Sequence, residues 1–164
     1  MPIYVYDGAT GFPLAAWLRP GTVHASLGAA EILDRIVTQL RAAWPGVVIK
    51  VRADNGLAVP GLYDYCEGND LPYVFGYSTN AVLQRKTEQA LADAELYHHW
   101  YQHREPHVQR FESIADYQAD TWPQPRRIVA KIEVTPQGSQ RRFLVTNLDE
   151  PAAWVYRDFY GPLQ

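Results

Sequence analysis

The sequence predicts an α/β fold: a mixed sheet with flanking helices, extended toward the C-terminus by an antiparallel β region. Three observations carry this. Val47-Val48-Ile49-Lys50-Val51 is an aliphatic, mostly β-branched run, the pattern of a strand covered on both faces. A helical stretch and a second apolar run, Tyr73 to Tyr77, follow it at the spacing of a parallel βαβ unit, with a right-handed crossover expected. Beyond residue 110, segments alternate as in an antiparallel sheet with one wetter face, Ile128, Ala130, Ile132 and Val134 opposing Val129, Lys131 and Glu133.

In chain order, Ile3–Tyr6 and Phe12–Leu18 flank Asp7-Gly8-Ala9-Thr10-Gly11, a β-hairpin pattern in which Asp7 is a turn former. Arg19-Pro20-Gly21 ends the second strand. Ser26 is placed to cap a helix to about Ala43, with Ile32, Leu33, Ile36, Val37 and Leu40 along one face. Trp44-Pro45-Gly46 stops that helix, and the strand 47–53 runs into Asp54-Asn55-Gly56, which turns the chain. A short helix follows from Pro60 to Glu67, with Pro60 acceptable in its first turn. After the strand 73–77 comes one long polar helix, Asn80–His103. Strands are predicted at 111–117, 127–134 and 142–146, and Pro151 opens a last helix, 152–160.

The totals suit a single domain. The chain has 164 residues, 47% hydrophobic and 20% charged, which is an ordinary globular composition. No apolar run approaches the ~20 residues that span a bilayer, and the N-terminus lacks the layout of a signal peptide. With one cysteine, Cys66, an internal disulfide is excluded and a cytoplasmic location is the expectation. A net charge of −3 argues against nonspecific nucleic-acid binding by the whole surface, though a local basic face stays open.

Asp54 stands just beyond the carboxyl end of a strand, where chemistry collects in open α/β sheets. It is a candidate catalytic or metal-binding carboxylate; on local grounds alone a turn former or helix cap is the better reading of the same residues. Arg126, Arg127, Arg141 and Arg142, with Lys131 between the pairs, form a candidate nucleic-acid strip beside which Trp122 could stack a base. The alternative is the charged outer face of an antiparallel sheet. His99 and His103, with Glu95, have helical metal-ligand spacing but lack the second half of a structural zinc site, and fit a solvated helix end better. Cys66 has no adjacent His, and Gly8–Gly11 is too short for a phosphate loop.

The order of segments resembles the insertion-sequence transposases with a ribonuclease H-like DDE core. Phe12–Ala25 is similar to that family's second and third strands; Val51-Arg52-Ala53-Asp54-Asn55-Gly56, Leu62–Glu67 and Leu71–Gly76 resemble the segment carrying its second catalytic Asp. Trp122–Glu133 and Arg142–Asn147 are similar to a β-rich insertion before the last catalytic helix. The resemblance implies a partial core over 1–104, an insertion over 105–149 and the start of the last core helix over 150–164. It implies Asp54 as second carboxylate, Mg²⁺ or Mn²⁺ as cofactor, and DNA (the transposon ends) as partner for cleavage and strand transfer. The sequence departs from the pattern at Asn55 and Leu57, where a small residue and an aromatic are usual. The first Asp belongs to a strand before the hairpin. Tyr160 matches the Tyr that precedes the final Arg and Glu, whereas Glu150 and Asp158 fall off the motif. The expectation is therefore an incomplete RNase H-like sheet in a truncated chain, inactive alone and holding no ion tightly. The missing-strand gap would be closed by direct pairing of the hairpin with the βαβ strands or by another chain in a homo-oligomer. The alternative is a noncatalytic α/β module that binds nucleic acid or protein.

Overall fold

A computed structural model describes residues 2–18, 20, 22 and 26–161. The strand end at Arg19–Gly21, the Val23–Ala25 part of the resemblance and the last three residues fall wholly or partly outside that set.

The protein is α/β, and the described residues form two sheets. Strands β1 (Pro2–Tyr6) and β2 (Pro13–Leu18) form an antiparallel hairpin. Asp7 is its turn residue: the carboxylate accepts the Ala9 N–H and the Thr10 hydroxyl, and Gly11 takes the left-handed conformation the turn needs. Helix α1 (Ala29–Ala43) starts three residues later than Ser26, after Gly28 at φ 77°, and buries Ala29, Ile32 and Val37.

The second sheet has five strands: β3 (Val51–Ala53), β4 (Tyr73–Tyr77), β5 (Val108–Tyr117), β6 (Arg126–Thr135) and β7 (Gly138–Thr146). Their order is β3-β4-β7-β6-β5, with β3 and β4 parallel and the other neighbours antiparallel. The parallel pair is the expected βαβ unit, its crossover made by α2 (Pro60–Gly68). The strands expected as an insertion thus join the core sheet directly, β7 pairing with β4. This arrangement is compatible with a partial ribonuclease H-like core.

Three expectations are corrected. The strand 47–53 contracts to three residues, and Val48 is 74% exposed. Among the described residues β3 has one partner, β4, so it is an edge and the preceding aliphatic residues find no ladder. The long helix divides into α3 (Ala81–Lys86) and α4 (Glu88–Tyr101) at Thr87, whose hydroxyl donates to the Leu83 carbonyl at 2.8 Å and competes with helix continuation. The wetter face of β6 is covered: Glu133 is buried, and α5 (Ala152–Trp154) with a π-helical turn, Val155–Tyr160, packs on that side.

The central sheet therefore has two filled faces. Tyr73, Phe75, Ile128, Ala130, Phe143 and Val145 face α1 and α2, whereas Val74, Val129 and Leu144 face the C-terminal turn. Among the described residues the hairpin does not pair with β3 in a ladder, so the direct pairing expected as one way of closing the gap is not seen there. A groove of about 710 Å³ lies between β1 and β3, over Ala29, Ile32 and Leu33.

Candidate active site

The chain leaves β3 at Ala53, and Asp54 caps the short 3₁₀ turn Asn55–Leu57, its Oδ1 accepting the Gly56 N–H at 2.9 Å. The cap and the candidate carboxylate are one residue, because capping uses one oxygen and leaves the residue exposed on the rim of a cleft of about 420 Å³. The cleft is also lined by Asn55, Ser78, Thr79, Arg141, Arg142, Tyr156 and Tyr160.

Gly76 holds this rim together. A Cβ at that position would lie 2.9 Å from the Asn55 nitrogen, 2.9 Å from the Tyr160 hydroxyl and 3.3 Å from the Asp54 carbonyl carbon. Three segments far apart in sequence thus converge on a space only glycine leaves free. An isolated glycine within a strand is the sequence signal of such an approach.

Arg52 lies two residues before Asp54, and side chains two apart on a strand share a face. Its Nη1 donates to the carbonyls of Phe159 at 2.7 Å and Tyr160 at 3.2 Å. Burial lowers the Arg52 guanidinium below its ordinary value, with Tyr160 acting in the opposite sense; an arginine so placed stays charged. The Tyr160 phenol is raised above the usual tyrosine value, first by burial and then by Tyr156 and Asp54, against Arg52 and Arg142. Lys50 lies over the Trp154 and Phe159 rings, 5.5 and 5.6 Å from their centroids.

The six residues of the expected nucleic-acid strip separate. Arg126 is 4% exposed: Nε donates to Glu67 at 2.7 Å, Nη2 donates to Asp64 at 2.6 Å and Glu67 at 2.8 Å, and the guanidinium lies over Tyr63 and Trp122. Trp122 is 5% exposed and packs edge-on against Tyr63, Tyr77 and Tyr117, so its ring faces meet protein instead of a base. Arg127, on the opposite face, donates to the Leu148 carbonyl and the Ser113 hydroxyl. Lys131 pairs with Glu133 at 3.0 Å. Arg141 donates to the Gln84 carbonyl at 2.7 Å and lines the cleft, and Arg142, exposed, lines it beside Arg141. The pleat, which sends consecutive side chains on a strand to opposite faces, divides Arg126 from Arg127, whereas the cleft lining takes in both Arg141 and Arg142.

The histidine-rich helix end has other engagements. His98 Nε2 lies 3.2 Å from the Pro106 carbonyl, His99 packs on Trp100, and Glu95 accepts from Ser139. Among the described residues no group of three or more His, Cys, Asp or Glu is arranged to hold a metal. At the cleft, Asp54 supplies one hard oxygen of the type Mg²⁺ and Mn²⁺ prefer, and Mg²⁺ is commonly bound through one or two carboxylates plus substrate phosphates. Asp54 fits one position in such a site. Sequence reasoning missed Arg52, Gly76, Ser78 and Thr79.

A single exposed carboxylate, tyrosine phenols, two aliphatic hydroxyls and two arginines around one cleft suit a phosphodiester. A family model described as transposase DDE domain group 1 matches residues 1–162. No curated protein matches the chain.

Proposed function

From the premise that the chain belongs to the transposase DDE domain family, whose members act on DNA and generally depend on divalent metal, we propose that the Asp54 cleft receives a DNA phosphodiester at a transposon end. The observation that carries this is the pairing of Asp54 at the end of β3 with Arg141 and Arg142 on the facing wall. Asp54 would hold one Mg²⁺ or Mn²⁺ ion, which when bound supplies Lewis-acid activation for phosphodiester cleavage and strand transfer. Segment 105–149 acts as an insertion that supplies the arginine wall. Arg142, Arg141 and the Ser78 and Thr79 hydroxyls orient the phosphate backbone. Arg127, whose charge is left in place by the Leu148 carbonyl, adds positive potential from beneath the C-terminal turn, and Lys131 there is paired with Glu133. Among the described residues Asp54 is the only carboxylate lining the cleft, so the chain by itself binds DNA with little strand cleavage and holds the metal weakly.

Fluorescence anisotropy with a labelled duplex tests this. Arg142→Ala lowers affinity severalfold and reduces the salt slope by about one, as loss of one phosphate contact does. Binding indifferent to Arg142 and to salt would remove the proposal. Electron paramagnetic resonance of Mn²⁺ with wild type and Asp54→Asn reads the metal site separately.

The groove between β1 and β3 supports a homo-oligomer in which a second copy contributes an extended segment, because two strand edges face one apolar space there. A monomer by light scattering at every concentration would remove that reading.

A further inference from the structure

We propose that Arg52 is a positioning residue of the Asp54 cleft: it clamps the carbonyls of the last turn and thereby holds the Tyr160 phenol against Gly76, on the same rim as Asp54. The inference rests on the functional reading of that cleft and gives a task to a half-buried cation outside it.

The geometry of the turn creates the need for a clamp. Val155–Tyr160 is π-helical, following three α-helical residues. Its wider winding is a rare form, and carbonyls at any helix end need donors from elsewhere. Arg52 Nη1 reaches two of them, Phe159 and Tyr160. A cation at a helix C-terminus is also favoured by the helix dipole. The same guanidinium lies near the hairpin turn, where a Cβ added to Gly8 would stand 3.5 Å from Nη2. Hairpin tip and last turn therefore flank one side chain of β3.

The consequence reaches the site through Tyr160. Its hydroxyl occupies the space that Gly76 leaves, 2.9 Å from where a Cβ would stand. If the turn swings out, the phenol leaves that space, while Asp54 keeps its place because its own cap bond to Gly56 does not involve Arg52. Arg52 governs the presence of Tyr160 on the rim and not the carboxylate.

The test uses the full chain labelled with 3-fluorotyrosine, the Tyr160 fluorine signal being assigned by Tyr160→Phe, and a soluble neutral gadolinium chelate as probe of exposure. In wild type the half-buried Tyr160 broadens less than exposed Tyr4 and Tyr6. In Arg52→Gln the Tyr160 signal alone broadens severalfold more, while those of buried Tyr63 and Tyr73 hold. Arg52→Lys, able to donate to the carbonyls but without the planar fork, restores part of the protection, and it gives the answer if Arg52→Gln does not fold. Arg127→Gln, which removes a comparable carbonyl clamp on Leu148, leaves Tyr160 unchanged. Tyr160 broadening that is unaltered in Arg52→Gln, or raised equally by Arg127→Gln, overturns the proposal. DNA affinity of Arg142→Ala is measured independently, so failure of the cleft's DNA role and failure of the Arg52 clamp give different results.

Discussion

On the face of the central sheet packed against α2, Arg126 is enclosed by Glu67, Asp64 and two aromatic rings. On the face packed against the last turn, Arg52 and Arg127 are held by backbone carbonyls, and Arg142 stands exposed at the cleft. Carboxylates cancel the charge of a guanidinium; carbonyls accept from its donors and leave the charge in place. The first face thus carries an internally neutralised cross-link, and the second projects positive potential toward the Asp54 cleft. What makes a surface fit for phosphate is the type of acceptor each arginine meets, more than the number of arginines.

The largest effect expected is at Arg126. Replacing it with Met strands Glu67 at the last turn of α2, where Tyr73 and Gln124 remain as its donors. Removing one partner of a fully buried pair costs about 3–5 kcal/mol, and the partial exposure of Asp64 and Glu67 puts this one near the lower bound, as urea denaturation would measure. DNA affinity of the folded fraction should stay at the wild-type value. A loss like that of Arg142→Ala would break the distinction between the faces.

Gly76→Ala comes next and sharpens the comparison from the other side. The added methyl meets a backbone nitrogen and a phenol at 2.9 Å, an overpacking that costs roughly 1–3 kcal/mol. The same substitution at Gly68, at the end of α2, meets nothing within 4 Å and should be close to neutral. DNA affinity should fall in Gly76→Ala and hold in Gly68→Ala. Equal stability losses in the two variants would show that the rim has slack that its contacts do not suggest.

Much of this was legible in the sequence, and the misses have a common cause. The hairpin, the βαβ unit and the three later strands follow from short-range patterns: a Gly-bracketed turn, aliphatic runs and alternation. Asp54 was placed at the end of its strand from the run before it and the Asn-Gly after it. Position within the sheet was not available. Val47 and Val48 are as aliphatic as any central strand, yet they are exposed, and among the described residues β3 has a partner on one side only. Thr87 interrupts a helix where its hydroxyl donates to the Leu83 carbonyl, which no apolar periodicity reveals. For the site, period-two alternation already forbids Arg126 and Arg127 from sharing a face, and it puts Arg52 beside Asp54. What no local pattern could supply is that Phe159 and Tyr160 return to that face from more than a hundred residues away.

The smallest effect expected is the acid limb of stability, where each face contributes one carboxylate. Burial works to raise Glu67, but bonds from Arg126, Tyr73 and Gln124 outweigh it and hold the group below its ordinary value. Burial likewise opposes Glu133, outweighed by Lys131, Gln109 and His107. A carboxyl depressed in the folded state stabilises the fold above its unfolded pKa and loses that contribution as the pH falls through the folded one. Stability should therefore hold from neutrality to about pH 4.3, the ordinary glutamate value, and decline below it. Glu67→Gln and Glu133→Gln should each make that decline shallower, as pH-dependent urea midpoints would show. Glu67 should account for the larger share, because Arg126 grips both its oxygens in a planar fork, at 2.7 and 2.8 Å, whereas Lys131 offers Glu133 a single ammonium at 3.0 Å. The reverse ranking would mean that the face turned toward the cleft is the more tightly neutralised of the two, and the contrast between them would have to be redrawn.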